Sequence, residues 1–258
     1  MPDSKQKAIV VCFSNHKGGV GKTCSTCNIG AGMARQGKKV LLVDLDPQAN
    51  LSLSLGVRDP SRSIYDVLMG EMEISSTIIC VNENLDIIPS SLDLAGAEIE
   101  LAAEAGREMI LREALEPLLK KYDYILIDCA PTLGLLTTNA LTAAEEVYIP
   151  LQAQYLSLQG ITKLTGVLDK IKSRLNKTLN LGGVFLTQYD GRKVLNRDIA
   201  DAIQEHFDSL VFKTKIRDNI SLAEAPSMGQ DIFRYNSKSN GAKDYEALCS
   251  EILTKLEK

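Results

Sequence analysis

The chain has 258 residues, of which 45% are hydrophobic, and its formal net charge is −4. This length and apolar content suffice for one large α/β domain or two small ones, and the negative charge argues against a general affinity for nucleic acid. No stretch approaches the roughly 20 apolar residues that span a bilayer, and the polar residues 1–7, which we expect to be flexible, lack the apolar core of a signal peptide.

The first predicted strand, residues 8–13, is a short apolar run that leads into a glycine-rich loop. The loop reads Lys-Gly-Gly-Val-Gly-Lys-Thr over residues 17–23, and the spacing predicts a helix over residues 24–36. Glycines let backbone N–H groups close on phosphate oxygens, and the first helical turn adds partial positive charge. Lys22 would reach the outer phosphates and the Thr23 hydroxyl would hold Mg²⁺. We therefore predict a nucleoside triphosphate site rather than a chance glycine-rich turn.

The loop departs from the usual G-x-x-x-x-G-K-[ST] spacing at its first position, where this chain has His16. A second lysine, Lys17, opens the loop instead. Directly after the loop, Cys24 and Cys27 lie three residues apart on the predicted helix. We interpret them as small packing residues, because a metal or redox site would want further ligands and no second close cysteine pair exists. The six scattered cysteines suit reduced thiols in a cytoplasmic protein.

Two further apolar runs end in acidic residues. The predicted strand at residues 40–43 is followed by Asp44 and Asp46, and the one at residues 124–127 is closed by Asp128. Carboxylates at the C-terminal ends of parallel strands face the ligand crevice, where they can orient Mg²⁺ waters or the attacking water. Residues 129–134 then form a loop that could sense the γ-phosphate.

The remaining predicted elements alternate between helix and strand. We expect helices at residues 63–70, 92–101, 107–120, 157–175, 195–207 and 244–256, and strands at 85–88, 146–150, 181–187 and, at the sheet edge, 210–213. Pro117 should end or kink its helix near Glu116. This order predicts one α/β domain over residues 1–258, a P-loop NTPase fold whose mostly parallel, twisted sheet has helices on both faces.

The charge is unevenly distributed. Residues 163–217 contain eleven Lys or Arg and six Asp or Glu, a balance of +5, so the rest of the chain carries −9. A basic region on an acidic protein indicates a directed anionic partner, but a solvated helical face would look the same.

With these motifs in hand, the chain resembles the ParA/Soj family of partitioning ATPases, within the deviant Walker A, or MinD-like, class. The matching segments are residues 17–23, Val-Asp-Leu-Asp-Pro-Gln-Ala-Asn at 43–50, Ile-Asp-Cys-Ala-Pro at 127–131 and Leu-Ala-Glu-Ala-Pro-Ser at 222–227. The last match favours the partition branch over MinD and the nitrogenase iron protein.

The resemblance implies an ATP-dependent sandwich homodimer in which Lys17 crosses to the partner's phosphates, in the manner of an arginine finger supplied in trans. It implies catalytic roles for Lys17, Lys22 and Asp46. It places Mg²⁺ on Thr23 directly and on Asp46 and Asp128 through water. Its nucleotide-binding positions are Lys17, Gly18, Gly19, Val20, Gly21, Lys22, Thr23, Cys24 (through its backbone N–H), Gln188 and Asn219.

The resemblance also implies that the ATP-bound dimer binds DNA without sequence preference and that a ParB-like protein stimulates hydrolysis, in the cytoplasm and at the nucleoid. Non-specific binding of this kind comes from phosphate contacts. The candidate positions are Arg192, Lys193, Lys213, Lys215 and Arg217. The chain departs from the family pattern nearby, since Asp218 and Ser221 stand where relatives often have arginines. No helix-turn-helix precedes the first strand, so we expect no operator-specific autoregulation.

Two alternatives belong to other functional classes. A MinD-like membrane-associated ATPase needs a basic amphipathic C-terminal helix, whereas residues 244–258 have four acids and two lysines, and we therefore expect no stable membrane association. A metabolic ATPase of the same fold is disfavoured by the partition-like match at 222–227 and by the lack of a plausible cluster-ligand pair.

Overall fold

The computed structural model describes residues 7–154 and 157–257, with the side chains of 157–163 outside that description. Its strands are β1 Ile9–Phe13, β2 Val40–Leu45, β3 Ile79–Asn82, β4 Leu85–Ile88, β5 Tyr124–Cys129, β6 Glu146–Gln152 and β7 Asn180–Thr187. Its α-helices are α1 Lys22–Arg35, α2 Asn50–Ser54, α3 Ile64–Leu68, α4 Leu94–Glu100, α5 Ile110–Leu115, α6 Leu135–Ala143, α7 Ser157–Arg174, α8 Val194–Phe207, α9 Ile220–Glu224, α10 Ile232–Asn236 and α11 Asn240–Leu256. The flexibility predicted for residues 1–6 falls outside the described residues.

The seven strands form one sheet in the order β3-β4-β2-β5-β1-β6-β7. Every neighbouring pair is parallel except β3 and β4, which run antiparallel at one edge. Strands β2 and β5 are buried along their whole length, as expected for parallel strands covered on both faces. The predicted mostly parallel α/β sheet is confirmed.

Alternate residues of each strand enter two separate cores. Val10 and Cys12 of β1 face the core shared with α3, α5, α6, α7 and α8, whereas Val11 and Phe13 face the core shared with α1, α10 and α11. Because side chains alternate across a strand, one continuous apolar run supplies both cores. Helices therefore cover both faces of the sheet, as predicted.

Helix α1 sits close to its neighbours because it carries glycines on two sides. A Cβ added at Gly30 would lie 2.5 Å from Leu42 Cδ2 of the sheet, and one added at Gly32 would lie 2.5 Å from Cys249 Sγ of α11. Real Cβ atoms do not approach other atoms this closely, so the two glycines set how near the sheet and α11 pack against α1. Because α1 follows the phosphate loop directly, these two close contacts also set the distance of the loop from the sheet and from α11.

Some predicted elements differ in detail from the structure. The helix expected over residues 107–120 is α5 followed by a short 3-10 turn at residues 116–118 that contains Pro117, so the predicted break is confirmed. The prediction of a regular edge strand at residues 210–213 is wrong. Residues 208–210 form a 3-10 turn, and the chain then runs alongside β7 through two isolated parallel bridges, Val184–Val211 and Tyr189–Arg217. The elements α2, α6, α9, α10 and β3 were not predicted.

Gly32→Val should lower the free energy of unfolding by about 2 kcal/mol, because the new methyl groups have no space between α1 and α11. The matched control is Gly166→Val in α7, where an added Cβ meets no described atom within 4 Å. That control should change the free energy of unfolding by less than about 0.5 kcal/mol, since only helix propensity changes. Urea denaturation of both variants measures the difference. Equal stability of the two variants would show that α1 does not need its glycine to pack.

Candidate nucleotide-binding site

The glycine-rich loop between β1 and α1 takes a backbone conformation that only some residues adopt easily. Gly19 has φ 72° and Gly21, which caps the N-terminus of α1, has φ 85°. Glycine adopts such left-handed conformations without steric cost. The end of β7 holds the loop, since the Thr187 hydroxyl donates to the Val20 carbonyl at 2.8 Å and lies 3.2 Å from the Leu151 carbonyl. Sequence inspection did not identify Thr187.

Lys22, the first residue of α1, is only 6% exposed although it is charged. Its ammonium lies 3.4 Å from the Lys17 carbonyl of the same loop. Burial lowers the pKa of Lys22, an effect that the charges of Asp128, Cys129 and Asp46 oppose. A buried cation beside a ring of backbone N–H groups is an arrangement suited to phosphate oxygens.

Two fully buried carboxylates lie behind the loop on neighbouring strands. Asp44 of β2 and Asp128 of β5 are register partners, and each is 0% exposed. The Thr23 hydroxyl donates to Asp128 Oδ2 at 2.6 Å. Burial, followed by the charge of Asp44, raises the pKa of Asp128 to about 8, against the Thr23 hydrogen bond and the Lys22 charge. The sequence predicted Thr23 and Asp128 separately, and the fold brings them into contact.

Asp44 is fixed by groups that sequence inspection missed. Its Oδ2 accepts hydrogen bonds from the Ser52 hydroxyl at 2.7 Å and from the Ser52 backbone N–H at 2.8 Å. The Ser90 N–H in turn donates to the Ser52 hydroxyl at 3.1 Å. Burial raises the pKa of Asp44 to about 6, although the Ser52 bonds work in the opposite direction. The only sequence signal was that Asp44, like Asp46, follows a predicted strand.

Asp46 follows Asp44 by two residues, directly after the end of β2, and is 7% exposed. One of its carboxylate oxygens, Oδ1, accepts the Gln48 N–H at 2.9 Å, which fixes the turn after β2. Asp46 and Gln48 both line a cleft of about 480 Å³ in front of the loop. The other residues lining it are Gly18, Gly19, Gly21, Lys22, Thr23, Cys24, Asn50, Ser54, Pro131 and Pro226. The cleft therefore joins the loop, the segment after β2 and the loop after β5, as the three motifs predicted.

The oxygen donors in this cleft, together with Asp128 buried directly behind Thr23, fit a hard divalent cation. The Thr23 hydroxyl and the carboxylates of Asp46 and Asp128 are the kind of ligands that Mg²⁺ takes, directly or through water. Among residues 7–154 and 157–257, no three or more His, Cys, Asp or Glu side chains are grouped to hold a metal by themselves. Mg²⁺ would thus depend on Thr23, water and the nucleotide phosphates. Cys27 belongs to the core shared with α1 and α11, and Cys24 packs against that core.

Lys17 does not turn toward its own loop. Its ammonium donates to Gln154 Oε1 at 2.6 Å and lies 3.4 Å from Gln152 Oε1, beyond the end of β6. Its backbone N–H donates to Asn15 Oδ1 at 3.0 Å, and Asn15 is held by the Pro150 carbonyl. Lys17 is also not among the residues that line the cleft. The lysine is positioned at the rim by neutral partners.

The two predicted nucleotide positions from the second half of the chain have other contacts in this structure. The Gln188 amide donates to the Gly19 carbonyl at 3.0 Å, and Gln152 donates to both Gly19 and Gln188. Gln188 has φ 49°, an unusual conformation for a residue other than glycine. Asn219 caps α9 by accepting the Ser221 N–H at 3.0 Å. The short 3-10 turn that follows α9 carries Pro226, which lines the cleft.

Two of the five predicted DNA-binding cations, Arg192 and Lys193, follow the C-terminal end of β7. Arg192, whose side chain is 91% exposed, donates from Nε and Nη2 to the two carboxylate oxygens of Asp190 at 2.9 and 3.0 Å. These hydrogen bonds lower the pKa of Asp190 to about 2. Lys193 also lies 3.8 Å from Asp190. Asp190 therefore compensates part of the charge that the sequence assigned to DNA contacts.

The other three candidates lie on the segment beside β7. The Lys215 ammonium lies 4.6 Å from the centroid of the Tyr189 ring. Arg217 is tied to Asp244 of α11 at 2.6 Å and is about half exposed. Lys213 is exposed, and its backbone N–H donates to Glu251 of the same helix. Arg217 thus anchors this segment to α11.

Comparison with known proteins agrees with this site. The sequence model of a family described as an AAA domain matches residues 8–181. The chromosome-partitioning ATPase Soj of Treponema pallidum is 45% identical over 94% of this chain and 96% of its own length. Among solved structures, cobyrinic acid a,c-diamide synthase from Mycobacterium smegmatis with bound ADP and magnesium has a TM-score of 0.86 at 34% identity, covering 97% of this chain and 96% of that one. The septum site-determining protein MinD of Pyrococcus horikoshii with Mg-ADP has a TM-score of 0.81 at 31% identity, covering 95% and 96%.

The fold and the site together define a P-loop nucleotide-binding protein of the α/β class, in which a glycine-rich loop, a buried lysine and Asp46 line one cleft and two strand-end carboxylates, Asp44 and Asp128, lie buried behind the loop. Within that class, the chain belongs to the ParA/Soj family of partitioning ATPases. The resemblance inferred from the sequence motifs is confirmed. No helix within the described part of the chain is long and apolar enough to cross a bilayer.

Asp128→Asn should stabilise the nucleotide-free protein at high pH. The folded-state pKa of Asp128, about 8, lies above its ordinary value of 3.8, so unfolding releases a proton between these two values and stability falls as pH rises through them. Asparagine cannot ionise and still accepts from Thr23. We expect the variant to exceed wild type in free energy of unfolding by at least about 1 kcal/mol at pH 8, and by less at pH 5.5.

The control for this comparison is the exposed Asp201→Asn. Denaturant unfolding of the three proteins without nucleotide or Mg²⁺ at both pH values provides the measurement. A stability difference between Asp128→Asn and wild type that is the same at both pH values would contradict the raised pKa.

Proposed function

We propose that this protein is a DNA-partitioning ATPase of the cytoplasm whose ATP-bound homodimer binds DNA at the nucleoid without sequence preference and releases it after hydrolysis. The observation that carries the proposal is the position of Lys17, which is held at the rim of a complete nucleotide cleft but outside it. A cation placed there can serve a second subunit's nucleotide while Lys22 serves its own.

Within one subunit, each residue of the cleft has a distinct task. The backbone N–H groups of Gly18, Gly19, Val20, Gly21 and Cys24 bind phosphate oxygens, and Lys22 neutralises them. Thr23 would hold Mg²⁺, with Asp46 and Asp128 contributing through water; when bound, Mg²⁺ supplies positive charge that stabilises the phosphates. Asp46, fixed by Gln48 and facing the cleft, places the attacking water. The products are ADP and phosphate.

Binding of Mg²⁺ would change the electrostatic environment of Asp128 without breaking its hydrogen bond to Thr23. In the structure the Thr23 hydroxyl donates to Asp128 at 2.6 Å. A hydroxyl that coordinates a cation through its oxygen can still donate its hydrogen, so this contact can persist with the metal bound. The added positive charge would favour the ionised form of Asp128, which burial otherwise disfavours. The site is therefore arranged to gain more from the cation than an exposed carboxylate would.

Lys17 carries the link between ATP and dimerisation. Its present partners, the side chains of Gln152 and Gln154, are neutral. A phosphate group offers a charge-assisted bond that is roughly twice as strong as a neutral one. Transfer of the ammonium from these glutamines to a second subunit's phosphates is thus favourable only when nucleotide is bound there. Dimerisation would then report ATP occupancy.

Non-specific DNA binding rests on cations at and beside the end of β7, of which Arg192, Lys193 and Lys213 are exposed and Lys215 is half-buried. Arg192, Lys193, Lys213 and Lys215 belong to the region with a local balance of +5. Arg217 is held by Asp244, so we place it behind this surface as an anchor. A ParB-like protein would stimulate hydrolysis, and the rate of hydrolysis would then set how long the dimer stays on DNA.

The membrane alternative is opposed by the packing of α11. Its apolar residues Tyr245, Leu248 and Ile252 are at most 1% exposed and belong to the core against α1. An interfacial helix must instead present such residues to lipid. The metabolic alternative shares the fold, as the synthase structure illustrates, but the identity to Soj is higher, at 45% against 34%.

Lys17→Ala should still bind ATP, because Lys22 and the loop backbone remain, but should lose ATP-dependent dimers and at least about tenfold of its hydrolysis rate. Light scattering after size-exclusion chromatography, with ATP, ADP and no nucleotide, measures the first property, and phosphate release measures the second. Gln154→Ala is the matched control, since it frees the ammonium without removing it and should dimerise at least as well as wild type. Normal ATP-dependent dimers and turnover in Lys17→Ala would disprove the crossing role.

Arg192→Glu should weaken DNA binding and flatten its salt dependence, because phosphate contacts release counterions. Asp190→Asn should do the opposite, since it removes the carboxylate that compensates Arg192 and Lys193. The control is Lys121→Glu, which makes an equal charge change. Lys121 is exposed and precedes β5, so it lies at the N-terminal end of the parallel strands, away from the end of β7. Fluorescence anisotropy with random-sequence duplex DNA across a salt series, with ATP, ADP and no nucleotide, measures all four proteins. If all three variants bind as wild type does in every condition, the DNA surface lies elsewhere.

A further inference from the structure

Helix α4 and the residues on either side of it expose an apolar stripe. Leu92 and Ile99 are 76% and 81% exposed, the highest values among the exposed large hydrophobic residues of the described chain. Ala95 and Ala102 are also exposed. These four residues, which we call the outer stripe, follow one another at intervals of three, four and three residues. That spacing places them on one face of a helical segment.

The opposite face of the same segment is fully used in the core. Leu94, Ala97 and Leu101 are at most 4% exposed and pack in the cluster shared with α3, α5 and α6. The segment is therefore anchored by its inner face, and the outer stripe is not needed to hold it in place. An ordered helix that is apolar on both faces is typical of a surface that a second protein covers.

The surroundings of the outer stripe are acidic. Residues 91–106 include four acids and no lysine or arginine. None of these acids, Asp93, Glu98, Glu100 and Glu104, takes part in an ion pair of the described residues. The donors that do reach them are neutral: the Tyr65 hydroxyl donates to Glu100 at 2.9 Å, and the Ser91 hydroxyl lies 3.3 Å from Asp93. The four acids thus form no ion pairs; Arg107, which follows this stretch, pairs with Glu108 instead and donates to the Ala102 carbonyl at the end of the stripe.

This segment also contacts the loop that follows Asp128. Glu98 Oε1 accepts the Leu136 N–H at 3.2 Å, at the start of α6. A Cβ added at Gly134 would overlap the same carboxylate. Residues 130–134 connect β5 to α6, and Pro131 among them lines the nucleotide cleft. A molecule bound to α4 would therefore be linked to the nucleotide cleft through Glu98 and the loop at residues 130–134.

We propose that the outer stripe of α4 docks a basic amphipathic helix of a partner protein. The inference rests on the proposed function, for which it supplies the surface where a partner acts on the ATPase. Apolar side chains of such a helix would cover Leu92 and Ile99, and its flanking Lys or Arg would face the four acids. This is the helix-in-groove mode of recognition with complementary charge.

The same charges argue against other occupants. Duplex DNA and anionic lipid surfaces are negative and would be repelled. A second copy of this chain that met the stripe through a two-fold axis would bring identical acids together, since such an interface is self-complementary. Like charges brought together at an interface destabilise it by several kcal/mol.

The test uses two fluorescein-labelled helical peptides of 18 residues. Both carry leucines at the spacing of the outer stripe; one has lysines at the flanking positions and the other has glutamates. Fluorescence anisotropy of each peptide with the full chain, without nucleotide, measures binding separately from ATP hydrolysis. We expect the lysine peptide to bind, more weakly as salt rises, and the glutamate peptide to bind at least tenfold more weakly.

Three variants assign the site. Leu92→Ser with Ile99→Ser, and separately Glu100→Lys with Glu104→Lys, should each weaken binding of the lysine peptide at least tenfold. Val194→Ser with Leu195→Ser, which removes two other exposed apolar side chains, should bind as wild type does. Unfolding transitions establish that all variants are folded. Equal binding of the two peptides, no binding of the lysine peptide, or unchanged binding by Leu92→Ser with Ile99→Ser overturns the proposal.

The proposed function fails on different evidence. Basal ATP hydrolysis and ATP-dependent DNA binding of Leu92→Ser with Ile99→Ser should equal those of wild type, because these side chains lie outside the cleft. If wild type itself neither hydrolyses ATP nor binds DNA with ATP, the partition function is wrong whatever the peptides do. If both activities are present and the peptide results are negative, only the docking surface is wrong.

Discussion

The buried pair of carboxylates behind the phosphate loop is the constraint on which the rest of the site depends. Asp44 and Asp128 lie side by side on β2 and β5 with no exposure to solvent. Burying two acids is costly unless donors and a cation surround them. Thr23, Ser52 and Lys22 supply these groups, and each belongs to a segment that also borders the cleft. Because these groups must stay in place to offset the cost of burying Asp44 and Asp128, they also fix the geometry of the nucleotide site.

The parallel sheet makes this concentration of polar groups possible. The strands β1, β2, β5, β6 and β7 all end at the same edge, so residues that are far apart in sequence meet there. Thr187 at the end of β7 and the adjacent Gln188 hold the loop after β1, and Gln152 at the end of β6, together with Gln154 beyond it, holds Lys17. The rim of the cleft is therefore built from neutral partners that a nucleotide phosphate can outcompete. In our proposal, that difference couples nucleotide occupancy to the second subunit.

The motifs predicted the centre of the site better than its periphery. Lys22, Thr23 and Asp128 were predicted because their chemistry and their position next to apolar strands are both visible in the sequence. Ser52, Gln152 and Thr187 were not, since nothing local distinguishes them from ordinary polar residues at the ends of elements. The short helices α2 and α10 were missed for a related reason: five residues carry too little periodicity to be read. The predicted edge strand at residues 210–213 failed because β7 pairs with that segment only at isolated bridges.

By itself, the sequence determined the α/β class, the nucleotide loop and the ParA/Soj family, because glycine conformations, strand periodicity and strand-end acids are local properties. Only the tertiary structure decided where charges are compensated. It pairs Arg192 with Asp190 and Arg217 with Asp244, turns Lys17 toward two glutamines, and leaves the four acids at residues 93–104 without ion pairs among the described residues. Coulomb energy depends on distance in space, and Lys17 and its partner Gln154 are 137 residues apart in sequence. That is why the cleft could be predicted and its rim could not.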